Sequence, residues 1–179
     1  TNGGMYKAFN GNLMYHGCIP LADDGAFKEL IIDGKKVAGK ALIDHFDRIA
    51  RRAYVNRGTA KSSQRDLDIL WYLWCGPFSP LFGKTRMTTF ERYYIKDKEP
   101  HNEPRNPYYK FRENPEVSTL ILNEFGLNAQ KEHIINGHTP VKVVKGESPV
   151  KAGGRLLVID GGMSVPYQKE TGIAGYTLI

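Results

Sequence analysis

From Lys40 onward the chain carries apolar residues at helical spacing. Leu42, Phe46, Ile49 and Ala53 share one face, while Asp44, Asp47, Arg48, Arg51 and Arg52 lie elsewhere, which predicts an amphipathic helix. Asp66 to Trp74 reads as a second helix, apolar nearly all round and therefore expected to be buried. A third is expected after Asn114-Pro115, an N-cap followed by proline at the first helical position. Val117, Leu120, Ile121 and Leu122 would fill its core side, and Gly126 would stop it. Short apolar runs predict strands at Leu13–Tyr15 (after a loop from Met5), Phe27–Asp33, His133–Asn136 and Arg155–Ile159. The polar stretch from Lys98 to Arg112, with Pro100, Pro104 and Pro107, reads as an exposed loop. Gly175 to Ile179 is strand-like. Strands alternating with helices predict an α/β fold.

The length of 179 residues fits about one domain. With 8 Phe, 10 Tyr and 2 Trp, the chain has ample core-forming surface, which excludes a disordered segment. No run of about 18 apolar residues occurs, so no membrane span or membrane partner is expected. Two cysteines, Cys18 and Cys75, argue against a disulfide scaffold, and no signal segment opens the sequence; a cytoplasmic protein is expected. The sequence starts at Thr1 without an initiator Met and stops within the strand-like run, so a piece of a longer polypeptide is expected.

The net charge of +6 and a pI of about 9.2 favour anionic partners without choosing among them. A nucleic-acid stripe at Arg48, Arg51, Arg52, Arg57, Lys61 and Arg65 is disfavoured. Asp44 and Asp47 are placed to pair with the helical arginines, and no aromatic residues interleave for base stacking. Gly34 to Ala41 contains the G-x-x-x-x-G-K core of a phosphate loop, which keeps a nucleotide-binding module in view, although Ala41 stands where a Mg²⁺-binding hydroxyl belongs. Asp33-Gly34 between apolar residues reads more simply as a hairpin turn.

His16 and His138 share one setting, the end of an apolar strand beside a glycine, where α/β proteins gather ligands. Each alone reads as a hydrogen-bonded structural histidine; together they read as metal ligands, although two imidazoles underfill a metal site. His45, His101 and His133 read as structural or solvated. Lys84, Arg86 and Arg92 follow a Gly/Pro-rich approach at residues 76–80 and form a candidate phosphate grip, against the plainer reading of surface cations. Neither thiol has an arginine six residues later, the spacing of cysteine-dependent phosphatases: Asp24 and Leu81 stand there.

The His16-Gly17 strand end, a Leu70-Trp71 helix end with Gly/Pro behind it, Gly137-His138-Thr139-Pro140 and Ile159-Asp160-Gly161-Gly162 together resemble the later motifs of calcineurin-like metallophosphoesterases. Longer strings are similar to class III fructose-1,6-bisphosphatases and cover nearly the whole chain: Gly76-Pro77 through Ser79 to Lys84, Met87 to Tyr93, Asn106 to Tyr109, Gly146 to Pro149, and Tyr167 to Lys169 with Thr171 to Ile179. The resemblance implies an αββα sandwich with two divalent metals, manganese in this class, and hydrolysis of fructose 1,6-bisphosphate to fructose 6-phosphate and phosphate for gluconeogenesis. Other substrates of the superfamily, phosphoproteins or nucleoside polyphosphates, stay as alternatives. By motif His16 and His138 match ligands of one metal, with Pro140 where other branches place a second histidine. The earlier motifs, Gly-Asp-x-His, Gly-Asp-x-x-Asp-Arg and Gly-Asn-His, do not occur here. Residues 1–179 are therefore expected to be the later portion of the phosphatase domain, with a helix-rich and loop segment at about 40–125 between the two histidine motifs. Such a piece is expected to be inactive by itself, to depend on the missing N-terminal part of the same polypeptide, and to form homo-oligomers.

Overall fold

The computed structural model describes residues 3–179, which divide into two compact units: Ile19–Tyr109, and Gly3–Cys18 joined by Lys110–Ile179. The segment expected at about 40–125 falls across both.

In the second unit β1 (Tyr6–Phe9) and β2 (Asn12–Tyr15) form a hairpin. Its two-residue turn, Asn10-Gly11, has φ of 48° and 70°, the left-handed pair whose twist suits tight hairpins. The strand β1 was not anticipated: Lys7 and an exposed Phe9 place it on a sheet edge with no apolar run to announce it. β5 (His133–Asn136), β6 (Val150–Lys151) and β7 (Leu156–Val158) complete a mixed sheet in the order β1-β2-β5-β7-β6. Its centre is parallel: β2 runs alongside β5, and β5 alongside β7.

Register aligns Leu13, Ile134 and Leu156 in one row and Tyr15, Asn136 and Val158 in another, and all six are buried. The intervening row, Met14, Ile135 and Leu157, points to the opposite face and is half-buried. Over the buried face lies α5 (Pro115–Glu124), since Tyr6, in register with Tyr15, meets the ring of Phe125 edge-on at 4.8 Å. Asn114 caps α5 as expected, its Oδ1 accepting from the Glu116 amide at 2.8 Å. Gly126 ends it with the paired bonds of a Schellman motif, Leu127 N to Leu122 O and Gly126 N to Asn123 O. Leu120, placed on the core side by sequence, is instead 41% exposed. A short helix α6 (Val165–Thr171) follows β7, and the final residues form no strand; Gly175 makes only an isolated bridge to Asp160.

The first unit holds the hairpin β3 (Leu30–Ile32) and β4 (Lys35–Val37), then α1 (Gly39–Asn56), α2 (Gln64–Cys75) and α3 (Thr89–Tyr94). Asp33-Gly34 is the turn, with φ of 52° and 74°. Because β4 occupies residues 35–37, the segment Gly34 to Lys40 is not a phosphate loop, and Lys40 pairs with Asp44 at 2.6 Å. α1 buries Leu42, Ile43, Phe46, Ile49 and Ala53, and Phe46 stacks against Tyr72 of α2 with ring centroids 5.9 Å apart. The expectation of a buried α2 holds for one face alone. Only Asp66, Ile69 and Leu73 are buried, whereas Trp71 and Trp74 are 64% and 59% exposed. Part of the basic run is matched internally: Arg51 pairs with Asp47, and Arg52 grips the buried Asp66 carboxylate with two bonds of 2.6 Å.

Residues 98–112 are not an exposed loop throughout. A single 3-10 turn (Glu99–His101) and the short helix α4 (Tyr108–Phe111) lie here, and Asn106, Tyr108 and Arg112 are buried. Asn106 Oδ1 accepts from the Leu21 and Tyr108 amides, a tie over 85 residues that no local pattern could announce. Among the described residues no helix is long and apolar enough to cross a membrane.

Candidate metal centre

The three parallel strands end together, and the next residues of each turn back over one edge of the sheet. His16 follows β2, Gly137-His138 follow β5, and Asp160 lies two residues beyond β7. This carboxyl edge is where open α/β sheets bind ligands. The parallel register, Tyr15 beside Asn136 beside Val158, brings together two histidines 122 residues apart.

His138 Nδ1 lies 3.1 Å from His16 Nε2, and the rings meet edge-on with centroids 5.0 Å apart. Contact between two imidazole nitrogens needs a proton on one and a lone pair on the other. The same spacing suits two ligands of one ion: nitrogens bound at about 2.0–2.1 Å and separated by about 90–110° lie roughly 2.9–3.4 Å apart. His16 is exposed and His138 half-buried, so both are open to a ligand. The backbone helps to aim His138. Its φ is 63°, uncommon outside glycine, and Thr139 N donates to Gly137 O at 2.7 Å to close a three-residue turn around it. A Cβ on Gly137 would meet the His16 ring, the His16 carbonyl and the Asp160 Cβ no closer than 3.6 Å, so that glycine is not demanded by space.

Two donors do not complete a metal site, and among the described residues no group of three His, Cys, Asp or Glu is arranged to hold an ion. The Asp160 carboxylate turns back on its own loop, accepting from Gly162 N at 3.0 Å.

Asn136, which sequence reasoning passed over, lies beneath His16. Its Nδ2 donates to the Tyr15, His16 and Gly17 carbonyls at 3.2, 3.0 and 2.8 Å. The available signal was the strand period, which places Asn136 on the same face as Ile134, a polar side chain where an apolar one belongs.

Of the other histidines, His101 Nε2 contacts the Ile95 carbonyl at 2.8 Å and His45 lies 3.9 Å from the Asp33 carboxylate; burial, with Arg48 nearby, lowers the His45 pKa. Cys18 is buried, and that burial pushes its thiol well above the ordinary range, which does not favour a nucleophile.

The candidate phosphate grip lies in the first unit. Residues 83–85 run against 104–106, which brings Glu103 under the cations. Lys84 Nζ bonds Glu103 Oε2, and Arg92 Nη2 lies 3.7 Å from the same carboxylate while donating to the His101 carbonyl at 3.2 Å. Thr88 gives Glu103 Oε1 both its amide and its hydroxyl, at 2.9 and 3.1 Å. Burial alone would raise the Glu103 pKa, but the Lys84 and Thr88 hydrogen bonds outweigh it and hold the carboxyl at about 2. Arg86 Nε donates to the Asn102 carbonyl at 2.8 Å.

A mixed sheet with helices, and two imidazoles side by side at its parallel strand ends, defines an α/β protein. The chain belongs to the Firmicute fructose-1,6-bisphosphatase family, whose profile matches residues 1–179. It is 58% identical to a protein of Clostridium novyi (strain NT) described as fructose-1,6-bisphosphatase class 3, over 100% of this chain and 27% of that protein. Proteins with the same description from Clostridium botulinum (strain 657 / Type Ba4) and Clostridium acetobutylicum (strain ATCC 824) are 56% and 55% identical, again over 100% of this chain and 27% of each relative. The chain thus spans about a quarter of the length of these curated relatives. No solved structure gives a match.

Proposed function

We propose that these residues form part of a metal-dependent fructose-1,6-bisphosphatase, which hydrolyses fructose 1,6-bisphosphate to fructose 6-phosphate and phosphate in the cytoplasm. The observation that carries this reading is the 3.1 Å approach of His16 and His138 at adjacent parallel strand ends, in a chain of this family. Both neutral imidazoles would hold one ion of a dinuclear divalent centre, with Mn²⁺ as the metal. The carboxylates and further ligands such a centre requires would come from the rest of a polypeptide of the relatives' length. When bound, the cations neutralise charge developing on the phosphoryl oxygens and acidify the attacking water.

The chain's own contribution is to fix the two nitrogens and to offer cationic groups to the sugar phosphates. Arg86 is the strongest of the three candidates. Lys84 and Arg92 already share the Glu103 carboxylate, whereas among the described residues Arg86 bonds only a backbone carbonyl and meets no carboxylate. An αββα sandwich belongs to the same reading, and the half-buried face bearing Met14, Ile135 and Leu157 is the one a second sheet would cover.

The test uses the full-length protein. With Mn²⁺ present, His16→Ala and His138→Ala should each lower phosphate release from fructose 1,6-bisphosphate by at least about 100-fold and remove about one ion per chain. Arg86→Ala should chiefly raise KM. Full activity and full metal content in either histidine variant would overturn the ligand assignment.

A further inference from the structure

We infer that Asn136 is a positioning residue for the two-histidine centre, its side-chain amide setting the backbone that presents His16 to His138. This rests on the reading of His16 and His138 as ligands of one ion. The three partners of Asn136 are carbonyl oxygens, which only accept, so the amide must turn its nitrogen toward them. Two N–H groups serve three oxygens, and one is shared. The β2–β5 register ends at Tyr15 and Asn136, so the carbonyls of His16 and Gly17 have left the strand ladder, and the Asn136 side chain takes up their bonding. The His16 carbonyl receives a second bond, from Gly137 N at 3.2 Å. Consecutive residues 136, 137 and 138 therefore fix the peptide of one histidine and carry the ring of the other.

The composition of the surrounding face makes this choice of side chain informative. Leu13, Ile134, Leu156 and Val158 around it are all fully buried, and Asn136 is 1% exposed. Among the described residues no donor reaches its Oδ1. A buried acceptor without a partner is unfavourable, and an aliphatic side chain would suit the face better. Aspartate offers no donor and serine only one, so an amide of this length is the group that reaches all three carbonyls.

The experiment measures Mn²⁺ affinity of the full-length protein by calorimetry for wild type, Asn136→Ser and Asn136→Ala, each also in a His16→Ala background, together with ¹⁵N imidazole shifts of the metal-free protein. The expected result is an affinity loss of about 10–100-fold for each Asn136 variant, with no further loss once His16 is gone. The His16 and His138 resonances should move while those of His45, His101 and His133 stay. Unchanged affinity and unchanged shifts would overturn the inference, as would an equal loss in the His16→Ala background. If His16→Ala alone leaves Mn²⁺ affinity intact, the ligand reading fails, and the metal-free shifts still decide whether Asn136 sets His16. Should the Asn136 variants not fold, hydrogen exchange of the wild-type Asn136 side-chain amide decides: slow exchange is expected, and exchange as fast as that of exposed Asn123 would overturn it.

Discussion

The imidazoles of one compact unit and the cations of the other occupy opposite electrostatic settings. At the sheet edge His16 and His138 converge on each other, and the Asp160 carboxylate beyond β7 accepts a bond from its own loop. In the helical unit Lys84 and Arg92 converge on Glu103, and Thr88 and the His101 carbonyl complete the cluster. The first arrangement sets two imidazole nitrogens side by side with no carboxylate of the described residues between them, the spacing on which the proposed ion binding rests. The second neutralises its own charges and stabilises a fold. Clustering of like residues is thus a poor guide to function until the partners of each are known, and the same sequence signal, residues beside glycine and proline, preceded both.

Substitution should separate the two regions. The largest contrast is in metal retention: His16→Ala should weaken Mn²⁺ binding at least about 100-fold while changing unfolding by no more than about 0.5 kcal/mol, because its side chain is exposed. Lys84→Ala should do the reverse. Glu103→Gln should destabilise the protein by about 2–3 kcal/mol in urea unfolding, because it removes the negative charge and the Oε2 acceptor that Lys84 and Arg92 share, while the remaining Oε1 can still accept from Thr88. The acid branch sharpens this point. With its carboxyl held at about 2 in the fold against an ordinary 4.5, Glu103 stabilises above pH 4.5, and that stability drains away as pH falls from 4.5 toward 2. The loss should be roughly 3 kcal/mol and absent in Glu103→Gln, measured as unfolding midpoints from pH 5 down to about 2.

Two glycines extend the test within the sheet unit. A Cβ on Gly161 would sit 2.7 Å from the Ile173 side chain and 2.8 Å from the Gly175 amide, so Gly161→Ala should cost about 1–3 kcal/mol. Gly137→Ala, beside the histidines, meets only ordinary contacts and should change unfolding by less than about 1 kcal/mol.

Local signals in the sequence located α1, α5 with its Asn114 cap, β5 and β7, because period, caps and apolar runs are written within a few residues. The edge strands β1 and β6 escaped because they are short and partly polar, and α3 and α6 because each is a helix of one to two turns. The two Trp of α2 were misjudged because hydrophobicity alone does not say which face meets a neighbour. For the centre itself, the strand-end setting of His16 and His138 was legible. Their 3.1 Å approach was not, since it depends on parallel pairing across more than a hundred residues. Glu103 was hidden by its proline-rich surroundings, and Asn136 reveals itself only when the three carbonyls it holds are in view.

The most direct test of the account is anomalous diffraction at the manganese edge from crystals of the full-length protein loaded with Mn²⁺. The account expects an anomalous peak within coordination distance of both His16 Nε2 and His138 Nδ1, the two nitrogens no longer sharing a proton. A loaded protein whose two rings remain hydrogen-bonded to each other, with manganese elsewhere, would contradict it.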